Sequence, residues 1–159
     1  MNDQDQTYTL GESLPYLLNR LGVRMGDLFA ERIAPLGLTI PMYRVLAALL
    51  ERPDQKLSEL SAATTVEIST MSRLIGQMVD RDLVTRQRFP GDERTVRINL
   101  TPAGEALARD VREEAKHYEF VAMSALNEDE VAWFKESLNR VYDALDQLEA
   151  ELKTPRAQR

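Results

Sequence analysis

The amino-acid sequence predicts a mainly α-helical protein with one small β-hairpin, and three observations support this fold class. Apolar residues recur at spacings of three and four near both ends of the chain, as in helices that pack along a seam. Between these segments, shorter apolar stretches are separated by Thr, Pro and Gly, which indicates short helices joined by turns. One stretch alternates polar and apolar residues, which indicates strands.

Length and composition exclude several classes of protein. The 159 residues, 43 % of them hydrophobic, suit one soluble folding unit. Because there is no cysteine, disulfides and thiol-based sensing are excluded. His117 is the only histidine and has no metal-ligand pattern around it, so we expect no metal and no cofactor. No apolar run reaches the roughly 20 residues of a membrane span, and residues 1–9 do not resemble a signal peptide. We therefore expect a cytoplasmic protein without a membrane partner.

The charge is unevenly distributed along the chain. The net charge is -6, which by itself argues against a nucleic-acid partner. Residues 55–101, however, contain seven basic and six acidic side chains, whereas the rest of the chain contains 13 basic and 20 acidic ones. A relatively basic middle segment on an acidic body suits a protein that meets DNA with one face.

The first half of the chain predicts four helices. The first covers 13–33, Thr39 caps a second over 42–50, and Ser58 is placed to cap a third that ends before a turn at Thr64 and Thr65. A fourth helix over 67–81 has a core face with Met71, Leu74, Ile75, Met78 and Val79. Its opposite face has Ser69, Thr70, Ser72, Arg73, Gly76 and Gln77, which suits close approach to DNA or is simply a solvated polar face.

A basic hairpin and two long helices follow. Strands are predicted over 83–88 and 95–100, joined by a turn at Pro90, Gly91 and Asp92. Thr101 and Pro102 begin a fifth helix that runs to about Leu126. Asn127 and Glu130 form a capping box for a sixth helix, whose heptad stripe requires a partner helix. Trp133 and Phe134 are expected to pack in that seam.

The order of these elements resembles the MarR family, the regulators named for multiple antibiotic resistance. Asp92-Glu93-Arg94 followed by Leu100-Thr101 is similar to the family's wing pattern, and the segment 69–74 to its recognition-helix core. The resemblance implies a winged helix-turn-helix over 36–101, dimerisation helices over 10–35 and 102–153, and a polar tail over 154–159. It further implies a homodimer on double-stranded DNA with an inverted repeat, with half-sites roughly 10 base pairs apart.

The resemblance also assigns site residues. The side chains expected to contact DNA are Ser69, Thr70, Ser72, Arg73 and Gln77 of the fourth helix and Arg86, Arg88, Asp92, Arg94 and Arg97 of the hairpin. Arg94 would lie in or near the minor groove. The alternative is that Asp92 and Arg94 only form an ion pair on the protein surface. Many relatives release DNA when a small aromatic or phenolic effector binds. Candidate effector contacts on helices one and two, each of which could instead be packing or a solvated charge, are Arg20, Arg24, Met25 and Tyr43.

Two residues depart from the family pattern. Asp82 stands where the family often has the glycine that follows the recognition helix, and Asp tolerates a left-handed backbone better than most residues. Gly76 inside the fourth helix costs about 1 kcal/mol relative to alanine. Two interpretations of Gly76 are open: a DNA backbone that approaches closely, or a locally loose helix.

The sequence leaves two functions from different classes. The leading hypothesis is a ligand-responsive repressor, and the alternative is a winged-helix protein-interaction module without specific DNA binding, which the acidic net charge favours. An enzyme is the poorest interpretation, because the sequence contains no phosphate-binding loop, nucleophile motif or paired catalytic carboxylates.

Overall fold

A computed structural model of the chain describes residues 9–89 and 92–153, except for the side chains of 88, 89, 92–95, 147 and 150–153. Short 3₁₀ turns cover Leu10–Glu12 and Ala34–Leu36. The helices and strands are, in chain order, α1 (Leu14–Ile33), α2 (Ile40–Glu51), β1 (Gln55–Lys56), α3 (Leu57–Thr64), α4 (Ile68–Asp80), β2 (Val84–Phe89), β3 (Asp92–Leu100), α5 (Pro102–Ala122) and α6 (Glu128–Lys153). The predicted mainly helical fold with a β-hairpin wing is confirmed.

The chain forms two compact units, and the boundary between them along the sequence lies between Tyr118 and Glu119. This boundary falls inside α5. The reason is that α1 and α5 supply part of the first unit's core. Phe29 and Ile33 of α1 and Val111 of α5 are buried in the same cluster as Leu46 of α2 and Ile75 of α4.

Three helix starts have the predicted caps. The Thr39 hydroxyl accepts a hydrogen bond from the Met42 backbone N–H (3.4 Å), and the Thr101 hydroxyl accepts one from Gly104 N–H (2.9 Å). Asn127 and Glu130 exchange side-chain-to-backbone hydrogen bonds of 2.8 and 3.0 Å, so the predicted capping box before α6 is confirmed. Side chains that satisfy the free N–H groups of a first turn fix where each helix begins.

The predicted cap at Ser58 is wrong. The residue before α3 is Lys56, so the helix begins two residues earlier than a cap at Ser58 would place it, and Glu59 accepts a 2.6 Å hydrogen bond from the Lys56 backbone N–H. The start is set by β1, which the sequence did not reveal and which pairs antiparallel with β3, with Gln55 opposite Ile98. The buried Gln55 amide donates to the carbonyl oxygens of Ala48 and Arg52 at 2.7 and 2.6 Å and so closes the C-terminus of α2.

Three further details differ from prediction. Val79 of α4 remains 37 % exposed, whereas the other four predicted core residues of that helix are buried. Helix α5 ends at Ala122 and not near Leu126, because residues 123–125 form a turn in which Leu126 N–H donates to Met123 O. The second hairpin strand begins at Asp92, three residues earlier than predicted, and the ladder has an irregularity between Arg88 and Phe89.

Among the described residues, no single helix is both long and apolar enough to cross a bilayer. Only α1 with its 3₁₀ continuation and α2, taken together as a pair bent by 80°, meet that criterion. The apolarity of α2 has a packing explanation, because Val45, Leu46 and Leu49 are buried in the core.

A pH dependence is expected from Glu59. The hydrogen bond from the Lys56 backbone is the largest cause that lowers the pKa of this carboxyl below its ordinary value; desolvation opposes it, and the nearby charges of Arg52 and Arg97 lower the pKa further. A carboxyl whose pKa is lowered on folding stabilises the fold at pH values above its pKa in the unfolded chain. This contribution is lost as the pH falls through the pKa of the carboxyl in the folded protein. We therefore expect Glu59→Gln to lower the free energy of unfolding at neutral pH, and the difference from wild type to shrink between about pH 5 and about pH 3. Urea unfolding across this range tests it, and a difference that is constant with pH would contradict it.

Candidate nucleic-acid interface

The outer face of α4 is polar and exposed. Met71, Leu74, Ile75 and Met78 anchor the opposite face in the core. The predicted DNA-contacting side chains of this helix are all exposed, namely Ser69, Thr70, Ser72, Arg73 and Gln77. Within the described residues, none of these five side chains makes a hydrogen bond or ion pair. Their donors and acceptors are therefore available to a partner, and Ser, Thr, Arg and Gln match base edges and phosphates.

The turn that precedes α4 is attached to α2 by an arginine. Arg44 Nη1 donates to the Thr64 carbonyl oxygen (3.3 Å) and to the Thr65 hydroxyl (3.2 Å). Thr65 has a left-handed backbone, with φ of 55°, and forms the turn between α3 and α4. Arg44 therefore holds an unfavourable turn in place and fixes the direction in which α4 leaves it.

The middle of α4 is attached to the hairpin by Arg86. Its Nη2 donates to the carbonyl oxygen of Ser72 at 2.7 Å. The same atom lies 3.9 Å from where a Cβ of Gly76 would be, an ordinary contact distance. Gly76 therefore interrupts neither the helix, which is continuous from Ile68 to Asp80, nor the packing around it. Of the two interpretations, local looseness has no support in the described fold.

The end of α4 has the backbone that a glycine would normally supply. Asp82 has φ of 54°, which confirms that aspartate keeps the left-handed turn. Leu83 N–H donates to Met78 O, and Asp82 N–H donates to Val79 O, both at 2.9 Å. This is the hydrogen-bond pattern that ends helices, and it directs the chain into β2.

The hairpin carries the remaining predicted contacts. Arg86 and Arg97 lie on β2 and β3, with Arg86 opposite Ile98 and Gln87 opposite Arg97. The side chains of Arg88, Asp92 and Arg94 lie outside the described residues, so their positions stay predictions. Arg97 is partly engaged, since its Nη1 donates to the Asp54 carbonyl oxygen (2.8 Å) and lies 3.6 Å from the Asp54 carboxylate.

Asp54 anchors the turn before β1 to β3. It has a left-handed φ of 58°, and its backbone N–H donates to the Asn99 side chain at 2.8 Å. The Asn99 amide returns a 3.2 Å hydrogen bond to the Asp54 carboxylate. With Arg97, these contacts fix the base of the hairpin to the end of α2. An arginine has five N–H donors, so Arg86 and Arg97 keep donors for phosphates as well.

The candidate effector residues fall into two groups. Arg20 and Arg24 are exposed on α1, one helical turn apart. Tyr43 is half-buried and packs edge-on against Phe29, with ring centroids 4.9 Å apart. Phe29 also contacts Tyr118, at 5.4 Å, and the Tyr118 hydroxyl donates to the Met25 carbonyl oxygen at 3.0 Å. The structure thus joins Met25 and Tyr43 through an aromatic cluster whose other two members, Phe29 and Tyr118, the sequence analysis did not single out.

Other residues at the α4 surface were also missed. Ile68, the first residue of α4, is 52 % exposed, and Glu67 before it is exposed too. Arg44 was overlooked because its partners, Thr64 and Thr65, are some 20 residues away in sequence. In the described part of the chain, no three His, Asp or Glu side chains come together as a metal site would require.

Comparison with known proteins agrees with this geometry. The family model described as "MarR family" matches residues 38–96, which run from just before α2 into the first half of β3. An uncharacterised helix-turn-helix-type transcriptional regulator of Bacillus subtilis, YsmB, is 33% identical over 105 residues, which are 66% of this chain and 72% of that protein.

Two solved structures are also similar along most of their length. A MarR family transcriptional regulator of Silicibacter pomeroyi has a TM-score of 0.76 and 33% identity over 87% of this chain and 98% of its own. BpsR of Bordetella bronchiseptica, whose DNA binding is described as regulated by 6-hydroxynicotinic acid, has a TM-score of 0.79 and 27% identity over 86% of this chain and 97% of its own. The chain therefore belongs to the MarR family of DNA-binding transcriptional regulators.

Proposed function

We propose that this protein is a ligand-responsive repressor that binds an inverted-repeat operator as a homodimer. The observation that carries the proposal is the outer face of α4, where five exposed side chains, Ser69, Thr70, Ser72, Arg73 and Gln77, have no partner among the described residues. Recognition helices present such small polar side chains to the major groove. We propose that these side chains contact bases and phosphates, and that Arg86, Arg88, Asp92, Arg94 and Arg97 place the hairpin on the flanking backbone and minor groove.

Exposed apolar side chains support the homodimer. In α1, Leu14, Leu17 and Leu21 are 41–53 % exposed, which is unusual for leucines spaced along one helix. In α6, four exposed apolar side chains follow the predicted heptad stripe, namely Leu138, Val141, Leu145 and Leu148. Trp133, expected in the seam, is 66 % exposed. A second copy of the chain would bury these surfaces and would give the twofold symmetry that an inverted repeat matches.

The aromatic cluster of Phe29, Tyr43 and Tyr118 supports a small aromatic effector. Exposed Arg20 and Arg24 on α1 provide cationic groups that an aromatic acid would require. The regulation of BpsR by 6-hydroxynicotinic acid, an aromatic acid, suggests the same chemical class here. Binding would shift the dimer toward a state in which the two recognition helices no longer match successive grooves, which releases the operator.

Selection of binding sites from a random pool of DNA duplexes tests the function. We expect a palindromic site to be enriched, and its binding to weaken steeply with salt, because phosphate contacts release counterions. Arg73→Ala and Arg94→Ala should each weaken binding about tenfold or more, as expected for lost base or phosphate contacts. Fluorescence anisotropy at several salt concentrations measures both effects. The selected site then serves to screen aromatic acids for release.

Arg109→Ala is the matched control, because Arg109 is an exposed arginine of α5 that pairs with Glu105 on the same helix. It should leave operator affinity unchanged. If no sequence is enriched, and affinity stays near the non-specific level of about 10⁻⁴ to 10⁻⁶ M, the protein-interaction module becomes the better explanation of the fold.

A further inference from the structure

One arginine connects the end of the recognition helix α4 to the segment that joins α1 to α2. Arg81 follows α4 directly, and its Nη1 donates to the Gly37 carbonyl oxygen at 2.6 Å. Its Nη2 donates to the Leu36 carbonyl oxygen at 3.2 Å, and Nη1 lies 3.5 Å from the Met42 sulfur. Arg81 therefore reaches across some 40 residues of sequence to bind backbone outside its own helix.

The carbonyls that Arg81 binds are suited to a cation. Residues 34–36 continue α1 as a 3₁₀ turn, so the Leu36 and Gly37 carbonyls lie at the C-terminal end of that helical segment. Carbonyls at a helix C-terminus lack helical partners and form the negative end of the helix dipole. A guanidinium satisfies two of them at once through its forked N–H groups.

Gly37 makes this contact possible. Its φ is 68°, in the left-handed region, and a Cβ on Gly37 would lie 3.0 Å from Arg81 Nη2. Any other residue would be strained in its backbone and would push against the guanidinium. Gly37 and Arg81 thus depend on each other. We call the contact of the Arg81 guanidinium with the Leu36 and Gly37 carbonyl oxygens the Arg81 clamp.

Two other arginines near α4, Arg44 and Arg86, connect different elements. Arg44 joins the turn before α4 to α2, and Arg86 joins the middle of α4 to β2, so the hydrogen bonds of these two arginines do not involve the helical segment of α1. Among these three arginines, only Arg81 binds the end of α1's helical segment, through Leu36. The clamp therefore fixes α4 to the helix that is expected to belong to the dimer interface.

We propose that Arg81 is a positioning residue that sets the separation of the two recognition helices in the dimer, and that it does so without contacting DNA. The proposal rests on the proposed function for its biological meaning. It predicts that loss of the clamp relaxes the preference for one half-site spacing. A residue that contacts phosphate would instead weaken binding to all duplexes and lower the salt dependence.

The functional test compares wild type with Arg81→Met on palindromic duplexes whose half-sites are moved apart or together in single base-pair steps. Wild type should bind the duplex with one half-site spacing at least about tenfold more tightly than duplexes whose spacing differs by one base pair. Arg81→Met should lose about tenfold at that spacing and much less at the others, with an unchanged salt slope. Gly37→Ala, which strains the backbone at φ of 68° and places a Cβ 3.0 Å from Arg81 Nη2, should flatten the profile in the same direction. Arg81→Lys, which keeps a donor, should recover part of the preference, and Arg109→Met should behave as wild type.

Two outcomes of this test would overturn the proposal. A salt slope lowered by about one unit would make Arg81 a phosphate contact, and an equal loss at every spacing would give it only a general structural role.

A second measurement is independent of DNA. Because the chain has no cysteine, Gln77→Cys introduces a single labelling site on the exposed face of α4 in each protomer. In the DNA-free dimer, the distribution of distances between the two nitroxide labels should be narrow when Arg81 is present. The distribution should be distinctly broader when the labelled protein also carries Arg81→Met. An unchanged distribution would refute the clamp even if operator binding is established. A narrow distribution that Arg81→Met broadens, in a protein that selects no operator, would support the clamp and reject the proposed function.

Discussion

Replacing Gly104 with alanine is expected to destabilise the fold by about 4 kcal/mol or more. Gly104 is the third residue of α5 and is buried against the turn that follows α4. A Cβ at this position would lie 1.9 Å from the Leu83 carbonyl oxygen and 2.8 Å from its carbon. Ordinary contact begins near 3.4 Å, so α5 would have to move away from the backbone of Leu83 by more than an ångström. Both partners are backbone and have no rotamer through which to yield.

Urea unfolding and the thermal midpoint measure this effect, and Gly76→Ala is the matched control. Gly76 also lies inside a helix, yet its nearest neighbour is the end of the Arg86 side chain at 3.9 Å. Alanine there should raise the free energy of unfolding by up to about 1 kcal/mol, because glycine is the poorer helix former. Opposite signs at the two glycines are the expected result. A Gly104→Ala protein that unfolds like wild type would show that the α5 contact is looser than the structure indicates.

Local sequence signals predicted the helix starts that depend on nearby side chains. Thr39, Thr101 and Asn127 each hydrogen-bond a backbone group three residues away, and a capping pattern of this kind is readable from sequence. The left-handed turn at Asp82 was predictable for the same reason, because it depends on the backbone preference of one residue.

Features that depend on distant partners were not predictable. Strand β1 is two residues long and exists because Gln55 and Lys56 pair with β3, more than 40 residues away. That pairing places the start of α3 at Leu57, so the hydroxyl of Ser58 was a misleading signal. Gly104 was missed because nothing in the sequence indicates which backbone passes close to a helical glycine.

In the candidate site, too, local features were predictable from sequence and contacts with distant partners were not. Helical periodicity alone places Ser69, Arg73 and Gln77 on the outer face of α4, because Met71 and Ile75 must face the core. It could not show which arginines have protein partners.

Those partners change the expected role of the basic residues. Arg81, Arg86 and Arg97 are all bound to backbone carbonyls of the protein. Part of the positive charge of residues 55–101 therefore holds α4 and the hairpin in position. In our proposal, Arg73, Arg88 and Arg94 would therefore make most of the arginine contacts with DNA, because Arg86 and Arg97 have only part of their donors left for phosphates, and loss of any one of the three should have a large effect on binding.

Thr101→Val is expected to lower the free energy of unfolding by about 2–4 kcal/mol. The Thr101 hydroxyl donates to the Asp82 carbonyl oxygen at 2.5 Å and accepts from Gly104 N–H at 2.9 Å, and Thr101 N–H donates to the Leu83 carbonyl oxygen at 3.1 Å. Valine has nearly the same shape, so it removes the hydroxyl without leaving a cavity and deprives two backbone groups of a partner. Because this junction joins the end of α4, β3 and the start of α5, the loss should loosen the hairpin relative to the recognition helix.

Thr101→Ser separates the hydrogen bonds from the packing of the methyl group. Serine keeps a hydroxyl that can donate to Asp82 and accept from Gly104, so its stability should stay within about 1 kcal/mol of wild type. If the hairpin is loosened as expected, amide hydrogen exchange at β2 and β3 should be faster in Thr101→Val than in Thr101→Ser when both are held well below their unfolding midpoints. A Thr101→Val protein that unfolds and exchanges like wild type, beside a destabilised Thr101→Ser protein, would show that the hydroxyl does not join the hairpin to α5 and that the methyl group of Thr101 provides its contribution.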